Sequence, residues 1–311
     1  MAEFRIEILN SMAREAPSEL VRKSEAAYHG FISDLAKRIA DSKKTEIILL
    51  SGPSGSGKTT SANLLSDAIK AHGRHSMVVS LDDFYRPNGD PEIPLTKSGE
   101  RDLEAPEALD IPELVRTLTA VARDESFLLP KYDFKTKSRI EMKRHEPIDG
   151  GVIIIEGLHA LNPQIFTRLP SERLFKIFIS VSTNITKKGS IILSGRKIRF
   201  IRRMTRDSLY RGTDAENTLA MWKNVLAGED KYLYPTRVHA DVSFDTFHPF
   251  ELGVMRPFAE RLISDELAAR DAYAKTVKDA LLAAEPISDS LIPDGSLIRE
   301  FIPGGIYEKL Y

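Results

Sequence analysis

The chain has 311 residues, 42% of them hydrophobic and 29% charged, with 44 Lys+Arg against 45 Asp+Glu. A net charge of −1 argues against a general nucleic-acid binder. The complete lack of cysteine excludes disulfides, thiolate metal sites and thiol nucleophiles. No run of about 18 apolar residues is present, so no membrane span is expected. The first twenty residues lack a basic region followed by an apolar stretch, and a cytoplasmic protein is the expectation.

In chain order, Pro17 and Ser18 suit a helix start. Leu20, Val21, Tyr28, Phe31, Ile32, Leu35 and Ile39 then recur at helical spacing to about residue 41. "TEIILLSG" (45–52) is an apolar run without alternation, as in buried parallel strands. A helix is predicted over 58–71. A second strand follows in "HSMVVSLDD" (75–83), then a helix over 111–122. "PKYDFKTKSR" (130–139) mixes aromatic, acidic and basic residues, as an exposed hairpin or a ligand rim would. Further strands are predicted within 150–161, 174–182 and 238–246, and basic helical sequence within 196–228. Residues 256–285 read as one long helix or two consecutive ones. The tail is broken by Pro and Gly, yet Leu291, Ile292, Leu297, Ile298, Phe301 and Ile302 imply that it packs. Alternation of strands and helices predicts an α/β fold with a mainly parallel five-stranded sheet.

Chemistry concentrates in "GPSGSGKT" (52–59), which fits G-x-x-x-x-G-K-[ST] between a strand and a helix. Gly52, Gly55 and Gly57 permit backbone that side chains obstruct. The amides of Ser54, Ser56 and Thr60 then join a nest at a helix N-terminus, which holds phosphates. Lys58 is placed to reach the β- and γ-phosphates and the Thr59 hydroxyl to ligate Mg²⁺. ATP and Mg²⁺ are the expected cofactors. The tetrapeptide N-K-x-D of guanine switches is absent, and "LSGR" (193–196) matches only the start of an ABC signature.

Ligands of open parallel sheets bind beyond the carboxyl ends of the strands. Asp82, Asp83 and Glu156 fall there, as candidates for a base at an acceptor hydroxyl and for Mg²⁺ binding. Singly, each could equally cap a helix. Arg199, Arg202, Arg203 and Arg206 recur at spacings of three and four, so several share a helix face. They are either a solvated basic helix or a mobile lid that brings charge to a transferring phosphoryl group; the lid is the favoured expectation.

Six stretches occur in order: "GPSGSGKTT", "SLDDFYRP", "DLEAPEALD", "PKYDFKTKSR", "VIIIEGLHAL" and "RFIRRMTRDSLYRG". Together they resemble the uridine kinase and phosphoribulokinase family of P-loop kinases, over roughly residues 45–263; the later portion, from "AENTLAMWK" (215–223) to "ERLI" (260–263), resembles a bacterial nucleoside-kinase-like branch. The resemblance implies a P-loop NTPase fold with a helical arginine-rich lid (about 183–228) and a small β-hairpin acceptor region. It frames 1–44 as an N-terminal helical extension, 45–263 as the kinase core and 264–311 as a C-terminal helix and tail.

It also implies roles. Asp82 is the catalytic carboxylate beside Mg²⁺, with Thr59 and Glu156 as the other metal-site residues. Tyr85 and Tyr132 are acceptor-pocket aromatics, Asp83 lies at that pocket, and Glu104 holds ribose hydroxyls. Arg203, Arg206 and Arg211 serve the phosphates and acceptor, with Lys58 catalytic. Three positions depart from uridine kinases: Lys137 stands for a base-reading histidine, Thr213 for an arginine and Met221 for a glutamine. The implied activity is ATP-dependent phosphorylation of a small-molecule hydroxyl, with uridine or cytidine leading. The alternatives are a sugar, sugar phosphate, polyol or hydroxy acid as acceptor, or a regulatory nucleotide-binding protein. Neither nucleic acid nor membrane is an expected partner, while a homodimer or homotetramer is, with the helix at 18–41 offering a surface.

Overall fold

A computed structural model describes residues 2–41, 47–96, 99–133, 136, 138–148 and 150–310. The chain opens with β1 (Glu3–Arg5), α1 (Ile6–Glu15) and α2 (Pro17–Asp41). It continues through β2 (Ile47–Ser51), α3 (Lys58–Ala71), β3 (Ser76–Ser80) and α4 (Ile111–Ala122). The hairpin β4 (Phe127–Asp133) and β5 (Ser138–His145) precedes β6 (Val152–Glu156), α5 (Pro163–Phe166) and β7 (Leu174–Ser180). A second hairpin, β8 (Asn184–Lys187) and β9 (Ser190–Leu193), leads into α6 (Gly195–Tyr210) and α7 (Ala215–Gly228). Last come β10 (Val242–Asp245), α8 (Glu251–Ala259), α9 (Asp265–Arg270) and α10 (Ala272–Ala283).

The main sheet is five-stranded and parallel throughout, in the order β10-β7-β2-β6-β3. Every residue of β2 and β6 is buried, because helices cover both faces. Ile48, Leu50, Ile154, Ile177 and Ile179 face one apolar cluster, while Ile47, Leu49, Ile153, Ile155 and Phe178 face the other. Each such fully buried Leu or Ile contributes about 1.5–3 kcal/mol relative to an exposed one. The first cluster gathers α1, α2, α3, α6 and the tail into one core. The second is roofed by α4, whose N-cap Asp110 accepts from the Glu113 amide.

Two predicted elements end differently. The second strand stops at Ser80, whose hydroxyl accepts from the Asp82 amide and turns Leu81–Phe84 into a 3-10 helix. The 256–285 helix begins earlier, at Glu251, and breaks into three. Pro257 lies within the first, and Ser264 and Asp271 cap the next two. Unforeseen was a three-stranded sheet in which β1 pairs parallel with β8 and β8 antiparallel with β9. The N-terminus is thereby joined to the segment leading into α6. The tail packs as its apolar residues imply, with Leu297, Ile298, Phe301 and Ile302 fully buried. Among the described residues, no helix is long and apolar enough to cross a membrane.

Candidate active site

The loop between β2 and α3 lies at the carboxyl edge of the central strand, where the order on either side diverges to β6 and β7. Gly55 and Gly57 have φ of 72° and 86°, the left-handed region. A side chain at Gly55 would also strike the Arg199 carbonyl oxygen at 2.6 Å, and one at Gly57 would strike Leu297. The loop is therefore clasped by α6 on one side and by the tail on the other.

Ser54 is fixed through three polar groups. Its amide donates to Glu229 Oε1 (2.9 Å), its carbonyl accepts from Arg199 (2.8 Å), and its hydroxyl accepts from Arg203 (3.0 Å). Arg199 and Glu229 form a two-pronged ion pair, each with a fully buried side chain. A second such pair, Arg202 with Glu251, sends Arg202 Nη1 to the Gly55 carbonyl (3.3 Å). Thr246 adds a hydroxyl to the Ser56 carbonyl (2.8 Å). Two arginines of the expected lid helix are thus core residues that fasten the phosphate loop. Their charge is spent on buried glutamates, which neither a solvated helix nor a swinging lid requires.

Of the other candidate arginines, Arg203 reaches the loop directly. Arg203 bridges Ser54 and Asp207, and Arg206 pairs with Asp207 (2.8 Å) and lies 3.6 Å from Glu300. Arg211, near the end of α6, is half-exposed and 3.6 Å from Asp207. Asp207 therefore gathers all three guanidinium groups, a role that its sequence position did not betray.

Lys58 Nζ donates to the Pro53 carbonyl (3.2 Å). Burial lowers its pKa, while Glu156, Asp82 and Glu300 oppose that shift. Thr59 Oγ1 lies 3.4 Å from Glu156 Oε1. Burial pushes Glu156 up to about 7, against the pull of Lys58. The Asp82 side chain is open to solvent, yet the protein packed around it raises its pKa, opposed by Lys58, Arg211 and Arg206. Among the described residues no cluster of three His, Asp or Glu could hold a metal unaided. Mg²⁺ keeps several waters and takes one or two carboxylates plus substrate phosphates. Thr59, Glu156 and Asp82, with a phosphate cradle beside them, fit that pattern.

Asp83 turns away towards the β4–β5 hairpin. It accepts the Tyr132 amide (3.2 Å) and forms an ion pair with Lys131 (3.0 Å). This places Tyr132 over Tyr85, with ring centroids 5.9 Å apart, while the Tyr85 hydroxyl donates to the Leu103 carbonyl. Asp83, a candidate substrate-binding residue, holds the hairpin that carries Tyr132. Lys137 lies outside the described residues.

Glu104 faces Arg203, Glu229, Asp102 and Asp82, and burial pushes its pKa up to about 7. Its carbonyl meets His159 Nε2 at 3.0 Å, and its amide donates to Asp102, which also accepts from the Tyr232 hydroxyl. His159 is buried, which lowers its pKa to about 4, so it is a neutral imidazole at physiological pH. Neither His159 nor Tyr232 stands out in the sequence; they join the site through the Glu104 carbonyl and the Asp102 carboxylate, respectively. Met221 is exposed on α7.

A carboxyl whose folded pKa is raised stabilises the fold fully below its unfolded pKa, and loses that contribution as pH rises through the folded value. For Glu104 the window runs from about 4.5 to about 7. Burial-lowered His145, His159 and His248 act in the opposite sense, so the test is a difference. We expect the stability of the wild type minus that of Glu104→Gln to fall across this window. Urea unfolding at a series of pH values measures it, and a pH-independent difference contradicts the raised pKa.

A buried parallel sheet, a glycine loop fastened at a helix N-terminus, and acids at the adjacent strand ends define a P-loop kinase. The profile of the Phosphoribulokinase / Uridine kinase family matches residues 47–250. A uridine kinase of Lactobacillus johnsonii is 30% identical over 203 residues, covering 65% of this chain and 86% of that protein. A uridine kinase of Borrelia duttonii is 29% identical over 224 residues, 71% of this chain and 97% of its own. A solved structure from Silicibacter sp. TM1040, provisionally named a fructose transport system kinase, aligns with a TM-score of 0.50 at 21% identity. That alignment covers 68% of this chain and 98% of the other, and it speaks for the fold. The chain belongs to the phosphoribulokinase/uridine kinase family, and it is a phosphotransferase with a hydroxyl acceptor.

Proposed function

We propose that the chain is an ATP- and Mg²⁺-dependent nucleoside kinase, with uridine or cytidine as acceptor. The observation that carries this reading is the grouping around Asp82 of the cations Lys58, Arg211 and Arg206 with Tyr85 and Glu104. A hydroxyl held beside Asp82 would lie among those cations, with the Tyr85–Tyr132 pair and the Glu104 carboxylate nearby to receive the rest of the acceptor.

In the proposed reaction Asp82 accepts the acceptor hydroxyl proton and passes it to solvent. The acceptor oxygen forms its bond to the γ-phosphorus as the bond to the ADP oxygen breaks. Lys58, Arg203 and Arg206 balance the charge on the transferring group, and positioning and electrostatics supply most of the rate. Mg²⁺, when bound, draws charge from the phosphate oxygens. Glu104 accepts hydrogen bonds from two ribose hydroxyls, and Tyr85 and Tyr132 present apolar faces to the base. The naming of the bacterial relatives as uridine kinases supports a nucleoside over a sugar.

An acceptor screen tests it. With MgATP present, uridine and cytidine should release ADP at least tenfold faster than sugars, sugar phosphates, polyols or hydroxy acids. A higher rate with any of the latter replaces the nucleoside reading. ADP release that no acceptor accelerates favours a regulatory nucleotide-binding protein.

A further inference from the structure

The C-terminal tail brings a carboxylate into the phosphate cradle. Thr60 is the third residue of α3, so its amide is among the four at the helix start that point out of the helix rather than to one of its own carbonyls. Such donors are the ones a phosphate takes. Here Glu300 Oε2 is 2.9 Å from Thr60 Oγ1 and within 3.5 Å of the Thr60 amide nitrogen. Its other oxygen lies 3.6 Å from the Arg206 guanidinium. Glu300 and Thr60 are both at least 95% buried. One tail residue thus engages both an amide of the cradle and the Arg206 guanidinium.

The tail is built to hold that carboxylate there. Leu297 sits against Gly57, the glycine before the catalytic lysine. The Ser296 hydroxyl donates to buried Glu25 of α2 (2.5 Å). Phe301 lies under Arg202, 5.2 Å from its guanidinium carbon. The Arg299 guanidinium is taken up by the Asp289, Ile292 and Pro303 carbonyls. A staple needed only for stability could be apolar throughout. Placing a negative charge at a site that must receive a polyanion instead sets that charge against the ligand.

We propose that Glu300 is an internal competitor for the phosphate cradle, and that the tail must release Thr60 and Arg206 before a nucleoside triphosphate seats fully. The proposal rests on the nucleotide reading above. The apparent affinity is then the intrinsic one multiplied by the fraction of molecules whose tail is released, as for any ligand that selects a minor state. Anything that draws the tail away would raise nucleotide affinity.

Calorimetric titration with MgATP tests this without any acceptor. Glu300→Gln keeps the shape and removes the charge, and should bind MgATP about tenfold more tightly than the wild type. Ser296→Ala, which unties the tail from α2, should also tighten binding and serves as the second variant if the first folds poorly. In the wild type, hydrogen exchange at residues 296–302 should quicken when MgATP is added. Equal or weaker binding by both variants overturns the proposal, as does unchanged tail protection. Absence of MgATP binding by the wild type and both variants overturns the nucleotide reading and the proposal with it. Equal binding by all three overturns the tail's role alone.

Discussion

Asp82→Asn is expected to lower phosphoryl transfer by about 10²–10⁴-fold, the usual contribution of a positioned general base, while MgATP affinity stays within a few-fold of wild type. The substitution is nearly isosteric, so the site keeps its shape while the proton acceptor and one negative charge beside the Mg²⁺ site are lost; Mg²⁺ keeps several waters and the substrate phosphates, so MgATP binding is largely spared. The structure also separates Asp82 from its neighbour. Asp83 accepts from the Tyr132 amide and pairs with Lys131, whereas Asp82 faces Lys58, Arg211 and Arg206. Lys58→Ala serves as the contrast, since it should lose nucleotide affinity and transfer together. The readouts are single-turnover rates with the acceptor found by the screen and calorimetry with MgATP. Retention of more than a tenth of the wild-type rate in Asp82→Asn would move the base elsewhere.

What could be read from the sequence was whatever local chemistry dictates. The motif 52–59 requires its strand–loop–helix setting, and helices over 58–71 and 111–122 start and stop where their caps and apolar spacing say. The main sheet was equally legible, because strands buried on both faces lose the polar alternation that exposed strands keep. Residues whose partners lie far along the chain were not legible. Arg199 and Arg202 look like surface charge until Glu229 and Glu251 are placed beside them. Glu300 looks like a tail residue until it meets Thr60, 240 positions away. Asp83 and Asp82 are adjacent and alike in sequence, and only the hairpin packed on the 3-10 turn parts their roles. The three-residue β1 carries no pattern of its own and exists because β8 offers it an edge.

The buried Arg199–Glu229 pair leads to the second large effect. Glu229→Ala leaves a fully buried guanidinium without its carboxylate and removes the acceptor of the Ser54 amide. Breaking a buried pair in this way costs about 3–5 kcal/mol, so the midpoint of urea unfolding should drop markedly. Lost stability alone would not tell a core staple from a clamp on the phosphate loop. A double variant, Arg199→Met with Glu229→Leu, distinguishes them. Apolar residues of similar volume can replace a buried ion pair with little loss, and sometimes with a gain. The two apolar replacements would also suit the surroundings of the Trp222 ring, over which Arg199 now lies at 5.6 Å. Stability should therefore largely return in the double variant. Nucleotide affinity should not, because neither the Ser54 amide nor its carbonyl regains a partner from these positions. If MgATP binding recovers along with stability, the pair is only packing, and the loop is held by Arg202, Arg203 and Thr246 without it.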